Sequence, residues 1–506
     1  MGNTVRLLED EREFLGRLAQ VIFANPFTPQ ASQLDALVGP GRKPAPGEHV
    51  LAVLGPVLVA QLRKIELRGV GGLGDVAPED RRLLEYGYLF HAYDRFIAPF
   101  DDLIRAQIER GEQPAAVPFA EELLGLLRGR GFAEEEVLRL VALFYQIRRA
   151  YYFIAQSLVG DSPSMKKLRH ALWDDVFTSD MLAYREHLWN RMEDFSTLLL
   201  GETGTGKGSA AAAIGRSGLI PFDGKTHRFT SSFTSAFVAI NLSQYPETLI
   251  ESELFGHRKG AFTGAVDDHQ GLFERCSRHG SLFLDEIGDL SAPVQLKLLN
   301  VIQDRIFSPV GSRRQLRFEG RVIAATNRPV TELRRAGRFR DDFFYRLSSD
   351  VIEVPPLRQR LREYPGELDQ LVHLLLGRMT GRPSEELTAK VLAQLRESLP
   401  ADYAWPGNVR ELEQALRRIL LKGAYGGEAP DRGGHDAWLE EIGAGRLTAE
   451  ELLQRYCRLL HERHGTYEEV ARRTALDRRT VKKYVEGKAG GGDRFARRPG
   501  PRLPPG

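Results

Sequence analysis

Cysteine is nearly absent: the 506 residues hold two, Cys276 and Cys457, far apart in sequence. That excludes a disulfide framework and a cysteine-rich zinc site, and it fits a reducing cytosol. No apolar run approaches the roughly 20 residues that a membrane-spanning helix needs, and the N-terminus lacks the apolar stretch of a signal peptide. Met1-Gly2 starts like a myristoylation signal, but Arg6 stands where Ser or Thr is required. Charge of one sign is also missing. The formal net charge is +2 and the pI about 8.4, so the chain as a whole is no polybasic coat for nucleic acid. Any DNA contact must come from a local basic patch. What is present, 42% hydrophobic and 27% charged residues, fits a soluble globular protein. The length suggests about three domains.

Residues 1–158 read as mainly helical, with apolar residues at helical spacing over 121–130 and 134–150. A Gly/Pro-rich stretch at 39–48 breaks the helical pattern. This region shows no glycine-rich nucleotide loop, metal cluster or phospho-acceptor pattern. The stripe Leu138, Leu140, Val141, Phe144 and Tyr145 reads as core packing, with a ligand pocket as the alternative. From about 160 onward strand and helix patterns alternate, as in a parallel α/β sheet. Residues 423–447 are Gly-rich and polar and read as a linker, 448–487 as a short helical domain, and 488–506 as a disordered basic tail.

Three stretches carry chemistry. Ser196-Thr197-Leu198-Leu199-Leu200 is a short apolar strand leading into Gly201-Glu202-Thr203-Gly204-Thr205-Gly206-Lys207 and then an Ala-rich helix. This strand–loop–helix context is what a P-loop requires. Its backbone amides face phosphates, and Lys207 neutralises the terminal ones. Gly208 stands where the general pattern has a magnesium-binding Ser or Thr. The second stretch, Ser281-Leu282-Phe283-Leu284-Asp285-Glu286, is an apolar strand with an acidic end. Between the two lies Glu251-Ser252-Glu253-Leu254-Phe255-Gly256-His257-Arg258-Lys259-Gly260-Ala261-Phe262-Thr263-Gly264-Ala265. Here Gly260 and Gly264 bracket an exposed Phe262-Thr263 pair. Glycine reaches backbone angles that other residues avoid, so the loop can project and move an aromatic tip.

Together these stretches resemble the AAA+ bacterial enhancer-binding proteins, which activate RNA polymerase carrying sigma-54. The resemblance runs from Gly160-Asp161-Ser162-Pro163-Ser164-Met165 to about 422, with insertions at about 172–190 and 217–233. It implies an α/β AAA+ P-loop NTPase core, a parallel sheet (159–353) with a helical lid (354–422), flanked by the helical N-terminal region and a C-terminal helix-turn-helix. The family places a sensory or receiver domain at the N-terminus; residues 1–158 resemble none that can be named. The resemblance further implies a bacterial, cytoplasmic ATPase working with Mg2+ as a homo-oligomeric ring, expected to be hexameric.

Site residues follow from the same resemblance. Gly201, Glu202, Thr203, Gly204, Thr205, Gly206, Lys207 and Gly208 would bind ATP; the family commonly has Glu at the position of Gly208. Asp285 would hold Mg2+ through water, and Glu286 would polarise the attacking water. Asn241 matches the residue that restrains the catalytic glutamate. Asn327, ending Val322-Ile323-Ala324-Ala325-Thr326-Asn327, matches sensor I near the γ-phosphate. Arg340 and Arg346 match arginine fingers that reach a neighbouring subunit's ATP. Arg410, in Trp405-Pro406-Gly407-Asn408-Val409-Arg410-Glu411-Leu412, matches sensor II at the lid helix; Gly407-Asn408 is also a plain capping signal. The hexapeptide Gly260, Ala261, Phe262, Thr263, Gly264, Ala265 would touch sigma-54, supported by a second loop around 307–317. Arg258 departs from the family's common Glu, which helps couple nucleotide state to loop position.

The end of the chain resembles the family's Fis-like helix-turn-helix: helices at 449–464 and 466–475, a turn at Leu476-Asp477, and a third helix at 478–485. Arg478, Arg479, Thr480, Lys482 and Lys483 are the candidate contacts to upstream DNA. The tail arginines Arg494, Arg497, Arg498 and Arg502 would add unspecific attraction. The leading expectation is an activator that uses ATP hydrolysis to remodel the sigma-54 RNA polymerase closed complex into an open one. The alternatives are an AAA+ remodeller of another protein and, because of Gly208 and Arg258, a DNA-binding regulator with a dead nucleotide site.

Overall fold

A computed structural model describes residues 4–28, 37–38, 50–400, 402–425 and 448–486. The expected break at 39–48, the linker beyond Tyr425 and the basic tail with Arg494, Arg497, Arg498 and Arg502 lie outside the described residues. The chain divides into two compact units, Met1–Gly426 and Gly427–Gly506. No helix among the described residues is long and apolar enough to cross a membrane.

The first unit is built on a five-stranded parallel sheet. Its strands are β1 (Thr197–Leu200), β4 (Phe237–Asn241), β5 (Ser281–Asp285), β8 (Arg321–Thr326) and β9 (Asp350–Glu353), in the order β4-β5-β8-β1-β9. Two hairpins stand apart from it: β2 (Phe222–Asp223) with β3 (Arg228–Phe229), and β6 (Ile306–Phe307) with β7 (Leu316–Arg317). The central strands are apolar on both faces, as a parallel sheet covered on both sides demands. Alternate residues serve different cores. Leu198, Leu282, Leu284 and Ala324 pack toward the helices Glu247–Phe255 and Ala292–Asp304. Leu199, Phe283, Ile323 and Ala325 pack toward the helix Lys207–Gly215 and the N-terminal helices.

The apolar core does not stop near residue 158. One cluster runs from Leu7 through the N-terminal helices to Leu199, Ile214, Phe283 and Val354. The joint is made by helix Glu134–Ser157 and by the two stretches read as insertions. Tyr145 stacks on Phe229 of the first hairpin with ring centroids 4.1 Å apart. Arg149, fully buried, donates to the carbonyls of Arg216 (2.5 Å) and Gly218 (2.7 Å), at the end of the P-loop helix. Burial pulls its pKa down to about 10, so the guanidinium stays charged at neutral pH while carbonyl dipoles satisfy it. Beside it, Gln146 donates to the Ser217 carbonyl (3.0 Å) and bonds the Tyr184 hydroxyl. Deeper in, Asp175 accepts from Thr197 Oγ1 (2.7 Å) and pairs with Arg321 (2.9 Å). This buried ion pair ties helix Pro163–Phe177 to the starts of β1 and β8.

Four helices form the lid: Leu357–Glu363, Glu367–Thr380, Glu385–Ser398 and Asn408–Lys422. Leu371, Val391, Leu412 and Leu416 fill their core, and Tyr425 closes it at 2% exposure. The second unit holds helices Ala449–His464, Tyr467–Thr474 and Arg478–Glu486 around Cys457, Leu460, Val470 and Val481.

Because residues 1–158 cover one face of the sheet, a 159–506 fragment exposes that face to water. The expected outcome is aggregation, or loss of the cooperative thermal transition that the full chain shows in calorimetry. A soluble fragment melting as sharply as the full chain would contradict this.

Candidate functional site

In a parallel sheet with covered faces, loops at the carboxyl ends of the strands form the natural crevice. Here β1 runs into the loop 201–207, β5 ends at Asp285 with Glu286 next, and β8 ends at Thr326 with Asn327 next. The parallel register, Leu200 opposite Thr326 and Leu284 opposite Ala324, brings these three ends together.

Gly204 and Gly206 take left-handed backbone angles, φ 79° and 106°. At Gly204 the reason is close approach as well: an added Cβ would sit 2.3 Å from the Gly407 carbonyl oxygen. Lys207 is buried, and its ammonium donates to the carbonyls of Gly201 (2.8 Å) and Glu202 (3.1 Å). Desolvation lowers its pKa, against the opposing pull of Glu286 and Asp285. Both carboxyls are shifted up, again by desolvation first, with the Lys207 charge opposing. Glu286 sits at φ 58°, a left-handed conformation that a non-glycine residue holds at a cost. Its Oε2 accepts from the Asn327 backbone amide (3.2 Å), while the Asn327 side chain donates to Thr203 Oγ1 (2.8 Å). One network thus joins the three strand ends.

Asn241 is placed beside Asp285 rather than Glu286: its Nδ2 is 3.4 Å from Asp285 Oδ2, and its Oδ1 accepts from Ser243. Thr205 is buried with its hydroxyl on the Glu202 carbonyl (2.9 Å). Gly208 is exposed with open space where a Cβ would stand, so packing does not demand glycine there. Arg410 is exposed, and its charge is felt at both Lys207 and Asp285. Arg340 is exposed and held by Asp342 (2.7 Å); Arg346 approaches the Ile302 carbonyl at 3.4 Å. Neither arginine is hydrogen-bonded to 201–207, Asp285 or Glu286 among the described residues. A cleft of about 790 Å3 borders Gly201, Glu202 and Asn327, but Lys207, Asp285 and Glu286 are not in its wall. The polar cluster, not this cleft, defines the candidate phosphate site.

Sequence reasoning missed the clamp between loop and lid. Asn408 is fully buried at φ 54°. Its side chain accepts from the Leu357 amide (2.8 Å) and donates to the Thr203 carbonyl (3.0 Å) and Glu202 (3.2 Å). Arg358 grips Glu202 with two bonds, one of 2.6 Å, and this holds the Glu202 carboxyl below its usual range. The cap reading of Asn408 hid this role, because its polar side chain leaves the helix it begins.

The hexapeptide forms a compact turn. Gly260 N–H donates to the Ala265 carbonyl (2.8 Å) and Ala265 N–H to the Phe262 carbonyl (3.0 Å). Gly260 and Gly264 have φ 81° and 103°. Phe262 is 38% exposed, its ring edge-on to His257 at 4.9 Å, and Thr263 is exposed. The turn is braced from the β6–β7 hairpin. Arg258 N–H donates to the Val310 carbonyl (3.0 Å), and an added Cβ on Gly311 would meet Ala261 Cβ at 2.7 Å. Arg258 pairs with Asp268 within the same loop.

In the second unit Asp477 caps the third helix, accepting from the amides of Arg479 (2.9 Å) and Thr480 (3.0 Å). The Thr480 hydroxyl bonds the same carboxylate. Arg478, which pairs with Glu468 (2.9 Å), Arg479, Lys482 and Lys483 are exposed.

Two outcomes follow. Asn408→Ala leaves the Leu357 amide and the Thr203 carbonyl without their partner, and about 3 kcal/mol of stability should be lost in urea unfolding; a loss under about 1 kcal/mol would contradict the clamp. Glu286 is the pH case. Its folded pKa lies above the unfolded value, so its contribution to stability is fully present below the unfolded pKa and is lost as pH rises through the folded one. Glu286→Gln should therefore raise the thermal midpoint at pH 7, and the gain should vanish near pH 4; a gain that persists at pH 4 would oppose this.

The sigma-54 interaction domain family matches residues 179–353. The Nif-specific regulatory protein of Azotobacter vinelandii is 39% identical over 273 residues, 54% of this chain and 46% of that protein. The DNA-binding transcriptional regulator NtrC of Azospirillum brasilense is 38% identical over 264 residues, 52% of this chain and 47% of that protein. The chain thus spans about half the length of these two relatives. The sigma54-dependent transcriptional activator SfnR of Pseudomonas putida is 38% identical over 308 residues, 59% of this chain and 77% of that protein. With such a relative matched along most of its length, and the P-loop, acidic strand end and braced hexapeptide in one unit, the chain belongs to the sigma-54-dependent transcriptional activators.

Proposed function

We propose that the chain is a cytoplasmic ATPase that binds upstream DNA, assembles as a ring and uses hydrolysis to remodel sigma-54 RNA polymerase from the closed to the open complex. The carrying observation is the exposed Phe262 on a turn braced by a second hairpin, in the same unit as the Lys207–Glu286 cluster. An exposed aromatic ring is an apolar anchor suited to a protein groove.

In this reading the amides of 203–207 and the start of helix Lys207–Gly215 bind the phosphates. Lys207 turns from its loop carbonyls to the terminal phosphates. Asp285 is the one carboxylate expected to hold Mg2+ through water, which offsets phosphate charge; this fits an ion that keeps most of its waters. Glu286 takes the proton of the attacking water at its carboxylate, and Asn327 and Arg410 orient the phosphates. Arg340 and Arg346 serve the neighbouring protomer's site, where a fixed guanidinium stabilises the transferred charge. Movement at Asn327, Glu286 and the lid then shifts the hexapeptide against sigma-54. Arg478, Arg479, Thr480, Lys482 and Lys483 contact the DNA, with phosphate contacts making affinity salt-sensitive.

The second reading, a regulator without turnover, is motivated by Gly208 and by Arg258. Two variants decide between them. Glu286→Gln should keep ATP binding and lose at least 100-fold in turnover, and Phe262→Ala should keep turnover and lose open-complex formation in a purified sigma-54 transcription assay. Undiminished activation by Phe262→Ala would refute the role of the tip, and a wild-type chain without turnover would favour the second reading.

A further inference from the structure

A cavity of about 280 Å3 lies between the N-terminal helices and the segment that leads into the sheet. Its walls include Val21, Leu89, Phe90, Phe144, Ile147 and Trp173. It is nearly twice the roughly 150 Å3 of a dry apolar cavity that accepts benzene. That is room for a two-ring molecule.

Two charged side chains reach the wall, and both are already matched. Arg148 is held by Asp101 through two bonds of 2.5 and 2.7 Å. Arg185 pairs with Glu85 and with Glu136 (3.1 Å). With one carboxylate on the first arginine and two on the second, no net positive charge remains for an anion. An apolar surface with its cations neutralised favours a neutral, mainly hydrocarbon occupant and penalises a carboxylate, which would be desolvated without a partner.

The cavity also shares a wall with the machinery below. Helix Glu134–Ser157 presents Leu140, Phe144, Ile147 and Tyr151 to the cavity. From the same helix Gln146 and Arg149 hold the carbonyls of 216–218, where the P-loop helix ends. Trp173, on the wall, is two residues from Asp175, which is bonded to Thr197 at the start of β1.

We propose that this cavity is a binding site for a neutral, apolar two-ring-sized small molecule, and that its occupancy stiffens the end of the P-loop helix through helix Glu134–Ser157. That this regulates hydrolysis rests on the nucleotide-site reading; the binding and the stiffening do not. A ligand shifts a conformational balance only by its differential affinity for the two states, and a filled wall packs this helix more tightly.

The test uses the full chain and two probes of equal ring size, 1-naphthalenemethanol and 1-naphthoate. The expected result in calorimetric titration is saturable binding of the neutral probe, one per chain, at least ten-fold tighter than the anion, with a raised melting temperature. Ala24→Trp, on the cavity wall, should abolish it; Leu143→Phe is the milder second filling and should weaken it. Hydrogen exchange at 207–218 should slow when the neutral probe is bound. Failure of the folded wild-type chain to bind the neutral probe, equal affinity for both probes, or full affinity in a folded Ala24→Trp chain would overturn the site. Binding with unchanged exchange at 207–218 would overturn the transmission. Loss of ATP turnover bears on the nucleotide reading alone.

Discussion

The parallel run of β5, β8 and β1 is the constraint from which the rest follows. It brings a glycine loop, an acidic pair and an asparagine to one edge of the sheet; with β8 antiparallel to its two neighbours, Asn327 would lie at the opposite edge. Desolvation at that edge disfavours charge on Lys207, Asp285 and Glu286 alike, and each is offset by its neighbours of opposite sign. A cluster in that condition gains most from a ligand that brings its own charges, as the proposed nucleoside triphosphate with a divalent cation would.

Around this edge three bodies are fastened by polar contacts, most of them buried, rather than by apolar packing alone. The lid is held through Asn408 and Arg358, the N-terminal helices through Arg149 and Gln146, and helix Pro163–Phe177 through Asp175 and Arg321. Such contacts are directional, so a small displacement of one body breaks bonds instead of sliding them. The N-terminal region is therefore built into the unit that carries the parallel sheet, sharing its core from Leu7 to Val354. A signal reaching those helices has a short path to the end of the P-loop helix.

The alternating strand and helix patterns made the α/β core legible, and the glycine loop and the apolar strand ending in Asp285-Glu286 were readable from residue type and spacing. The hexapeptide was legible because Gly260 and Gly264 mark positive φ, which the structure has. The joint was not. Phe229 and Tyr184 lie in stretches that read only as insertions, and their partners Tyr145 and Gln146 are more than 35 residues away in sequence. Local periodicity carries no information about such pairings. Asn408 was visible but misjudged, since a polar residue at a helix start is ordinarily a cap. Of Asn241, only the side chain's choice of Asp285 over Glu286 needed three dimensions.

In the proposed function, nucleotide chemistry at one edge of the sheet is delivered by the Phe262 tip. A photo-reactive phenylalanine analogue placed at 262, in the full chain mixed with sigma-54, measures this directly. Cross-linking to sigma-54 should be strong with ADP and aluminium fluoride, weak without nucleotide, and absent in the Lys207→Ala background. Cross-linking equal in all three, or absent in all three while the protein still opens the promoter complex, would contradict the account.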